Sequence, residues 1–242
     1  MFKGPYPSRL ILVRHGETDW NRERVPQGHI DIPLNETGCR QARALAGRVC
    51  SWQVNALYSS DLKRAAQTAE ILGEALRLSV QLREGWREID VGAWGGLPAA
   101  EIRARFPEEI SALERGEDIS RGGGESRASL KARVVAEFER MCPGHPDETV
   151  MIVSHGGALK ALIAHLVGLP LSGLDRISTR GNTGLSIFEF SMGEPRLVLL
   201  NDTSHLDGGA GLGAGAVEGV GAATLSGGGA FGTERPLHRD LQ

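Results

Sequence analysis

The chain contains 242 residues, of which 40% are hydrophobic, and it carries a formal net charge of -3 at pH 7 with a pI near 6.2. A chain of this length can bury a substantial core in one domain. The near-neutral charge provides no broad positive field, so no nucleic-acid partner is expected. An anionic ligand must therefore be attracted by a local group of cations.

Three cysteines, Cys39, Cys50 and Cys142, are far apart in the sequence and lack metal-ligand spacing. Their odd number and separation argue against a disulfide framework and against a zinc site. No apolar stretch approaches the length of a membrane span or of a signal-peptide core. We therefore expect a soluble, unexported protein in a reducing cytoplasm, without a membrane partner.

The first half of the chain alternates between strand and helix patterns. Apolar residues at helical spacing predict two helices, and short apolar runs predict three strands. Ser60 or Asp61 is a good N-cap candidate for the second helix. In chain order the predicted elements are strand 9–14, helix 37–49, strand 56–59, helix 62–76 and strand 79–82.

Two further helices, 98–106 and 126–141, are followed by a β-branched strand at 149–153, a helix ending near 167, and strands at 183–190 and 196–200. Gly193 between the last two strands predicts a hairpin. The alternation predicts an α/β fold, a three-layer α/β/α sandwich with a mostly parallel sheet. One domain is expected to span residues 1–204, with a helical cap insertion at about 97–146.

The composition changes sharply beyond residue 204. Eleven of the chain's 33 glycines fall between Asp207 and Gly232, with almost no aromatic residues. Such a segment cannot bury enough apolar surface to offset the entropy lost on ordering. We therefore expect residues 205–242 to form a disordered, glycine-rich tail.

Two apolar strands end in a histidine followed by a glycine, as His15-Gly16 and His155-Gly156. In α/β sheets, ligands gather outside the carboxyl ends of the strands, so both imidazoles could meet in one crevice. Arg14 supplies a cationic fork suited to phosphate, and His15 can act as nucleophile or proton carrier at neutral pH. The pattern indicates a site for a phosphoryl group.

Arg64 follows another strand end and lies in the first turn of the predicted helix 62–76. A cation is mildly unfavourable near a helix N-terminus, unless an anion binds there and interacts with both the dipole and the guanidinium. Arg64 is therefore predicted to be a phosphate ligand.

Several separated motifs resemble those of the histidine phosphatase superfamily, the phosphoglycerate-mutase-like branch of phosphoryl-transfer enzymes. The similarity spans about residues 9–201. The matching groups are Arg14-His15-Gly16-Glu17-Thr18 with Asn21, Gln27-Gly28 with Asp31 and Leu34, Gly38 with Gln41-Ala42, Ser59-Ser60-Asp61-Leu62 with Arg64 and Thr68, Glu88 with Gly92 and Trp94, Gly123-Gly124-Glu125-Ser126, and Ser154-His155-Gly156-Gly157.

The resemblance implies that His15 attacks phosphorus and forms a phosphohistidine, which water then hydrolyses. Nearby cations at Arg14 and Arg64, and His155, should keep His15 neutral and offset charge on the transferring oxygens. The resemblance also implies that Glu88 donates a proton to the leaving oxygen and later helps to deprotonate water.

The resemblance further implies that Asn21 and the backbone near Gln27 and Gly28 donate neutral hydrogen bonds to the phosphoryl oxygens. Asn21 is also compatible with a simple turn or cap. Glu88 lies close to Glu84 and Asp90, and all three are also compatible with solvated carboxylates of a loop. Candidate substrate contacts are His29, Trp94 and Gly156, although core packing is at least as good an explanation for Trp94.

Six arginines lie in or near the insertion, and any that point inward would favour an acidic or multiply phosphorylated substrate. They are Arg87, Arg103, Arg105, Arg115, Arg121 and Arg127. Relatives commonly carry Trp-Glu-Gly where this chain has Trp94-Gly95-Gly96. The missing carboxylate is expected to alter the entrance to the site or the substrate preference rather than phosphoryl transfer.

The sequence favours a metal-independent phosphomonoesterase that needs no cofactor and acts on a small phosphorylated metabolite. The stretch from Glu88 to His155 is shorter than a resemblance to cofactor-dependent mutases implies, and Gly157 stands where mutases commonly show asparagine. A 2,3-bisphosphoglycerate-dependent phosphoglycerate mutase is the main alternative, and a noncatalytic phosphate-binding module is a remote one. The oligomeric state stays open, with a homodimer as one candidate.

Overall fold

A six-stranded mixed sheet organises the computed structural model, which describes residues 5–207. The tail predicted to be disordered begins at residue 205, and its residues from 208 onward lie outside the described residues. The strands are β1 (Arg9–Arg14), β2 (Ala56–Ser59), β3 (Val80–Leu82), β4 (Thr149–Ser154), β5 (Leu185–Ser191) and β6 (Glu194–Asp202).

Seven α-helices accompany the sheet within the described part of the chain. They are α1 (Asp19–Arg22), α2 (Glu36–Val49), α3 (Lys63–Leu76), α4 (Ala99–Arg105), α5 (Pro107–Glu114), α6 (Arg127–Met141) and α7 (Gly156–Leu166). No helix of residues 5–207 is long and apolar enough to cross a membrane.

The strand order is β3-β2-β4-β1-β5-β6, in which the first four strands run parallel and β5 and β6 form an antiparallel hairpin at the edge. Successive side chains of a strand point to opposite faces. Leu10 and Leu12 accordingly pack in a core with residues of α6 and α7, whereas Ile11 and Val13 pack with residues of α2 and α3. This arrangement confirms the predicted three-layer α/β/α sandwich with a mostly parallel sheet.

The helices of the segment 97–146 share the core that contacts the sheet. Helices α4 and α5 pack against each other and contribute Ile102, and α6 contributes Leu130, Val134 and Phe138. Pro107 occupies the first turn of α5, where its missing N–H costs nothing. The sequence analysis did not predict α5 because the proline directly follows the pattern of the preceding helix.

The predicted N-cap of α3 is wrong. The helix is preceded by Leu62, whose side chain cannot accept a hydrogen bond, and neither Ser60 nor Asp61 occupies the cap position. Asp31 Oδ1 instead accepts a 2.6 Å hydrogen bond from the backbone N–H of Lys63. The capping group thus comes from a distant segment, which local sequence patterns cannot indicate.

Candidate active site

The register between β1 and β4 brings the two histidines together. Arg14 pairs with Ser154 across these parallel strands, and the His15 N–H donates to the Ser154 carbonyl at 2.9 Å. The next residue of each strand is therefore a histidine at the same edge of the sheet. The imidazole ring centroids of His15 and His155 lie 5.1 Å apart.

His15 is held as a neutral imidazole with one free nitrogen. Its side chain is buried, and Nδ1 lies 2.7 Å from the carbonyl oxygen of Gly16. Because a carbonyl can only accept, Nδ1 carries the hydrogen and Nε2 keeps an unshared electron pair. Burial, followed by the charges of Arg64 and Arg14, lowers the pKa of His15 well below its usual value. These conditions are those of a nucleophile.

Gly16 allows the loop that follows His15 to pass close to α2. A Cβ atom at Gly16 would lie 2.6 Å from the carbonyl oxygen of Gly38, and a Cβ atom at Gly38 would lie 2.1 Å from that of Glu17. The Gly16 N–H also donates to Thr68 Oγ1 at 3.0 Å. Both glycines are therefore needed for close backbone packing beneath His15.

Arg64 is almost fully buried and its guanidinium is held from three directions. Its NH1 and NH2 groups donate to the carbonyl oxygens of Ile30 at 2.9 Å and Gly28 at 2.8 Å, and its Nε donates to His155 Nδ1 at 3.1 Å. Burial lowers the pKa of Arg64 to about 10. The guanidinium therefore stays cationic at neutral pH. It places a fixed positive charge between His155 and the carbonyl oxygen of Gly28.

His155 has both ring nitrogens engaged. Because the Arg64 Nε–H must donate, Nδ1 of His155 accepts, and its Nε2–H donates to Ser60 Oγ at 2.8 Å. Burial, followed by the charges of Arg64 and His15, lowers the pKa of His155 well below its usual value. Arg64 therefore fixes the tautomer of His155, and Ser60 accepts from the remaining ring N–H, a role that the sequence analysis did not assign to Ser60.

Arg14 reaches from the end of β1 to the segment before β5. Its NH1 group donates to the carbonyl oxygens of Thr179, at 3.4 Å, and Arg180. Its Nε is buried without a hydrogen-bond partner among residues 5–207. A buried, unpaired N–H on a cation costs free energy that a bound oxyanion would recover.

Glu88 lies against the N-terminus of α7, directly beyond His155. Its carboxylate accepts from the backbone N–H groups of Gly157 at 2.9 Å, Ala158 at 3.1 Å and Ile89 at 2.8 Å. A Cβ atom at Gly157 would lie only 2.3 Å from Glu88 Oε1. The absence of a side chain at Gly157 is thus what allows this carboxylate to lie beside the helix end.

The loop that carries Glu88 is clamped by Arg133 of α6. The guanidinium donates to the carbonyl oxygens of Gly85, Arg87 and Glu88, each at 3.0 Å, and it binds both carboxylate oxygens of Glu125 at 2.8 and 2.7 Å. The sequence analysis missed Arg133, because its partners are backbone atoms that are distant in the chain.

The remaining predicted site residues lie around this centre in different settings. Asn21 belongs to a capping box with Thr18 at α1, where its Oδ1 accepts from the Thr18 N–H at 3.2 Å. His29 Nε2 lies 2.9 Å from the carbonyl oxygen of Glu88. Gln27 is buried and its Oε1 has no partner among the described residues.

Trp94 lies in the hydrophobic core rather than beside His15 and His155. Its side chain is 6% exposed, belongs to the core cluster and lines an apolar cavity with Ile102 and Ile110. Gly156, in contrast, lines a cavity beside Arg14. The core-packing interpretation of Trp94 therefore describes its surroundings better than a substrate contact does.

Within residues 5–207, no group of histidine, cysteine, aspartate and glutamate side chains is arranged to hold a metal ion. The chemistry available at the centre is that of a neutral imidazole, two arginines and a carboxylate. Together these groups can attack a phosphoryl group, offset its negative charge and supply a proton to a leaving oxygen.

Comparison with known proteins identifies the class to which this arrangement belongs. A sequence model of the histidine phosphatase superfamily (branch 1) matches residues 10–203, and the chain belongs to this superfamily. Phosphoserine phosphatase 1 of Hydrogenobacter thermophilus is 36% identical over 201 residues, which cover 82% of this chain and 94% of that protein. Within the superfamily, the chain is a phosphoric monoester hydrolase.

Two other proteins support this assignment. Glucosyl-3-phosphoglycerate phosphatase of Mycobacterium tuberculosis (strain ATCC 25618 / H37Rv) is 38% identical over 182 residues, which cover 72% of this chain and 82% of that protein. The crystal structure of phosphoserine phosphatase from Entamoeba histolytica in complex with 3-phosphoglyceric acid matches with a TM-score of 0.74 and 33% identity. That match covers 82% of this chain and 98% of the other.

Proposed function

We propose that the protein hydrolyses a small phosphorylated metabolite through a phosphohistidine at His15, without a metal ion. His15 Nε2 attacks phosphorus, the P–N bond forms, and the bond from phosphorus to the alcohol oxygen breaks. Glu88 gives a proton to the departing oxygen. A water molecule then attacks the phosphohistidine and gives its proton to Glu88, which releases inorganic phosphate and restores His15.

The observation that carries this proposal is the state of His15. Its Nδ1–H is committed to the Gly16 carbonyl, its Nε2 is free, and its lowered pKa keeps the ring neutral. Attack by an imidazole requires this unprotonated nitrogen. Metal coordination is not needed to generate the nucleophile.

The cations and backbone donors around His15 are suited to a phosphoryl group. We assign Arg14 and Arg64 to offsetting charge on the transferring oxygens, with Asn21 as a neutral partner. His155 would join them by turning its Nε2–H from Ser60 Oγ to a phosphoryl oxygen. The unpaired Nε of Arg14 supports this role. Because Glu88 lies at the N-terminus of α7, the leaving oxygen would depart on that side.

A trapping experiment tests the mechanism directly. During turnover of p-nitrophenyl phosphate, alkaline quenching and mass spectrometry should find phosphate on the peptide that contains His15. His15→Ala should lower kcat by roughly three orders of magnitude or more, as expected for loss of a nucleophile. Chelators should leave the rate unchanged. A phosphorylated intermediate elsewhere, or full activity in His15→Ala, would contradict the proposal.

The role of Glu88 can be separated from that of its neighbours by a matched substitution. Glu88→Gln should slow hydrolysis of alkyl phosphates far more than that of aryl phosphates, whose leaving groups need little protonation. Glu84→Gln is the control, because Glu84 is mostly exposed and pairs with Arg87. Equal losses on both substrate types would remove Glu88 as the leaving-group acid.

The mutase alternative differs only in where the phosphoryl group goes. Incubation with 3-phosphoglycerate and catalytic 2,3-bisphosphoglycerate should release inorganic phosphate faster than 2-phosphoglycerate accumulates. The reverse order of rates would favour the mutase.

We also propose the domain and cellular setting predicted from the sequence. Residues 1–204 would form the catalytic domain, and the segment 97–146 would cover the site, which is supported by Arg121 and Arg127 in the wall of the cavity beside Arg14. The three unpaired cysteines support a reducing cytoplasm. A homodimer stays a prediction, to be measured by sedimentation of the full chain.

A further inference from the structure

The segment that precedes β5 binds the backbone of His15. The His15 carbonyl oxygen accepts from Asn182 Nδ2 at 3.1 Å and from the Thr183 N–H at 3.3 Å. A carbonyl oxygen has two lone pairs, so these two donors use its whole acceptor capacity. The His15 N–H in turn donates to the Ser154 carbonyl of β4 at 2.9 Å. The backbone is therefore fixed on both sides of the imidazole.

Asn182 also contacts the side chain of Asn21. The same Nδ2 atom lies 3.3 Å from Asn21 Oδ1. Because a backbone carbonyl can only accept, the atom of Asn182 beside His15 must be the amide nitrogen. The flipped amide would place an oxygen against two acceptors. Asn182 thus donates one hydrogen to the backbone of His15 and the other to Asn21.

This contact fixes the orientation of the Asn21 amide. The atom that Asn182 meets accepts from the backbone N–H of Thr18 at 3.2 Å, which identifies it as the oxygen, and from Thr18 Oγ1 at 3.1 Å. Within residues 5–207, the side-chain hydrogen bonds of Asn21 all end on Oδ1. Nδ2 and its two hydrogens are therefore available to a phosphoryl oxygen that enters the site.

The residue after Asn182 has an unfavourable backbone conformation. Thr183 is fully buried and has a φ of +54°, in the left-handed region that a β-branched residue rarely adopts. Its Oγ1 donates to the Asn182 carbonyl at 2.7 Å and lies 2.8 Å from His205 Nε2. Such angles persist only where the surrounding structure holds them, and they are common at functional sites. The fold thus maintains a strained turn that brings the Asn182 amide to His15.

We propose that Asn182 is a positioning residue for phosphoryl transfer. Its amide holds the backbone of His15 and the side chain of Asn21 in one arrangement, so that the nucleophile and a neutral phosphate donor are aligned before the substrate binds. Asn182 acts through these two groups rather than on the substrate. This inference rests on the proposed function and adds to it a residue that the sequence analysis did not select.

Two substitutions of Asn182 test this role. Alanine removes the donor, whereas aspartate keeps the shape but places an oxygen against two acceptors. With p-nitrophenyl phosphate, kcat/KM should fall by about 10-fold in Asn182→Ala and by about 100-fold in Asn182→Asp, since a displacement of about 1 Å in reacting groups costs about 10²-fold. Rapid-quench measurements should place this loss in the rate of phosphohistidine formation.

Asn55→Ala is the matched control for a purely structural effect. Asn55 Oδ1 accepts from the backbone N–H of Thr149 at 2.9 Å, at the start of β4 and thus at the opposite end of the sheet from the histidines. Loss of this bond should lower the melting temperature and leave kcat/KM unchanged. The Asn182 variants should instead lose rate at temperatures at which they remain folded.

A double-mutant cycle shows whether Asn182 acts through Asn21. Asn21→Ala should lower kcat/KM by itself, because a phosphate donor is lost. Adding Asn182→Ala should then cost less than about 3-fold instead of about 10-fold, since the amide to be oriented is absent. A merely structural role of Asn182 would give losses that multiply.

The outcomes separate this inference from the proposed function. If phosphate is trapped on His15 but folded Asn182→Ala and Asn182→Asp enzymes both keep kcat/KM within about 2-fold of the wild type, the positioning role is wrong while the mechanism stands. Losses that multiply in the double variant with Asn21→Ala also overturn it. If no phosphohistidine forms in the wild-type enzyme, the proposed function itself fails.

Discussion

Replacing Gly157 by alanine should displace the carboxylate of Glu88. The new Cβ atom would lie 2.3 Å from Oε1 and 3.1 Å from Cδ of Glu88. An ordinary contact needs roughly 1 Å more than the shorter distance, so the carboxylate must move by about that amount. The helix itself should tolerate the change, because Gly157 lies in α7 and alanine is a better helix former.

The expected magnitude follows from what the displacement removes. Glu88 would lose or lengthen its hydrogen bonds from the N–H groups of Gly157 and Ala158, now 2.9 and 3.1 Å long. A shift of about 1 Å in a catalytic group typically costs about 10²-fold in rate, or about 2.7 kcal/mol in the activation barrier. We expect a loss of this order in kcat for alkyl phosphates and less than about 10-fold for p-nitrophenyl phosphate.

Steady-state kinetics on both substrate types and thermal unfolding form the assay. Gly47→Ala is a matched control, because Gly47 lies in α2 and a Cβ atom there meets nothing within 4 Å. A Gly157→Ala enzyme that keeps its full rate on alkyl phosphates would refute the reasoning. Equal losses on alkyl and aryl phosphates would show that the substitution damages the site generally rather than moving the acid.

Three further predictions concern the clamp, the pH response and the tail. Arg133→Lys keeps the charge but loses the planar fork that binds the loop of Glu88, so kcat on alkyl phosphates should fall by about 10-fold and aryl phosphates should be affected less. His15 and His155 have lowered pKa values in the folded protein, so the unfolded chain binds more protons than the folded one below about pH 6.5. The melting temperature should therefore fall as the pH is lowered from about 6.5 to 5, and it should be insensitive to pH just above 7. A melting temperature that rises on acidification would contradict these shifts. Removing residues 208–242 should leave kcat on p-nitrophenyl phosphate within about 2-fold, since the proposed catalytic groups all lie earlier, and a collapse of activity would assign the tail a structural role.

Local patterns were sufficient to predict most elements of the sheet and its helices. The apolar run before Arg14 and the β-branched run at 149–153 each predicted a strand, and both are buried in the centre of the sheet. The pattern failed at the start of two helices: the distant residue Asp31 caps α3, and Pro107 begins α5, a helix that was not predicted. Capping by another segment leaves no trace within the helix's own sequence.

The candidate site divides in the same way. His15, Arg64 and Glu88 could be selected from motifs, because each combines a reactive residue type with a position after a strand or in a recognisable spacing. Ser60 and Arg133 could not be selected, since their importance comes from contacts with His155 and with the backbone around Glu88. Such contacts depend on the packing of elements that are far apart in the chain.

The sequence by itself was sufficient to predict His15 as the nucleophile with cationic neighbours and to identify the family, because these depend on residue identity and on spacing within short segments. Only the tertiary structure decided the chemical state of the site. The pairing of β1 with β4 places His15 beside His155, and burial lowers the pKa values of both rings. Packing of α6 and α7 beside Arg14 likewise brings Arg127 and Lys160 to the wall of one cavity. Desolvation and charge proximity are properties of the assembled fold, since they arise only when distant residues exclude water from the same volume.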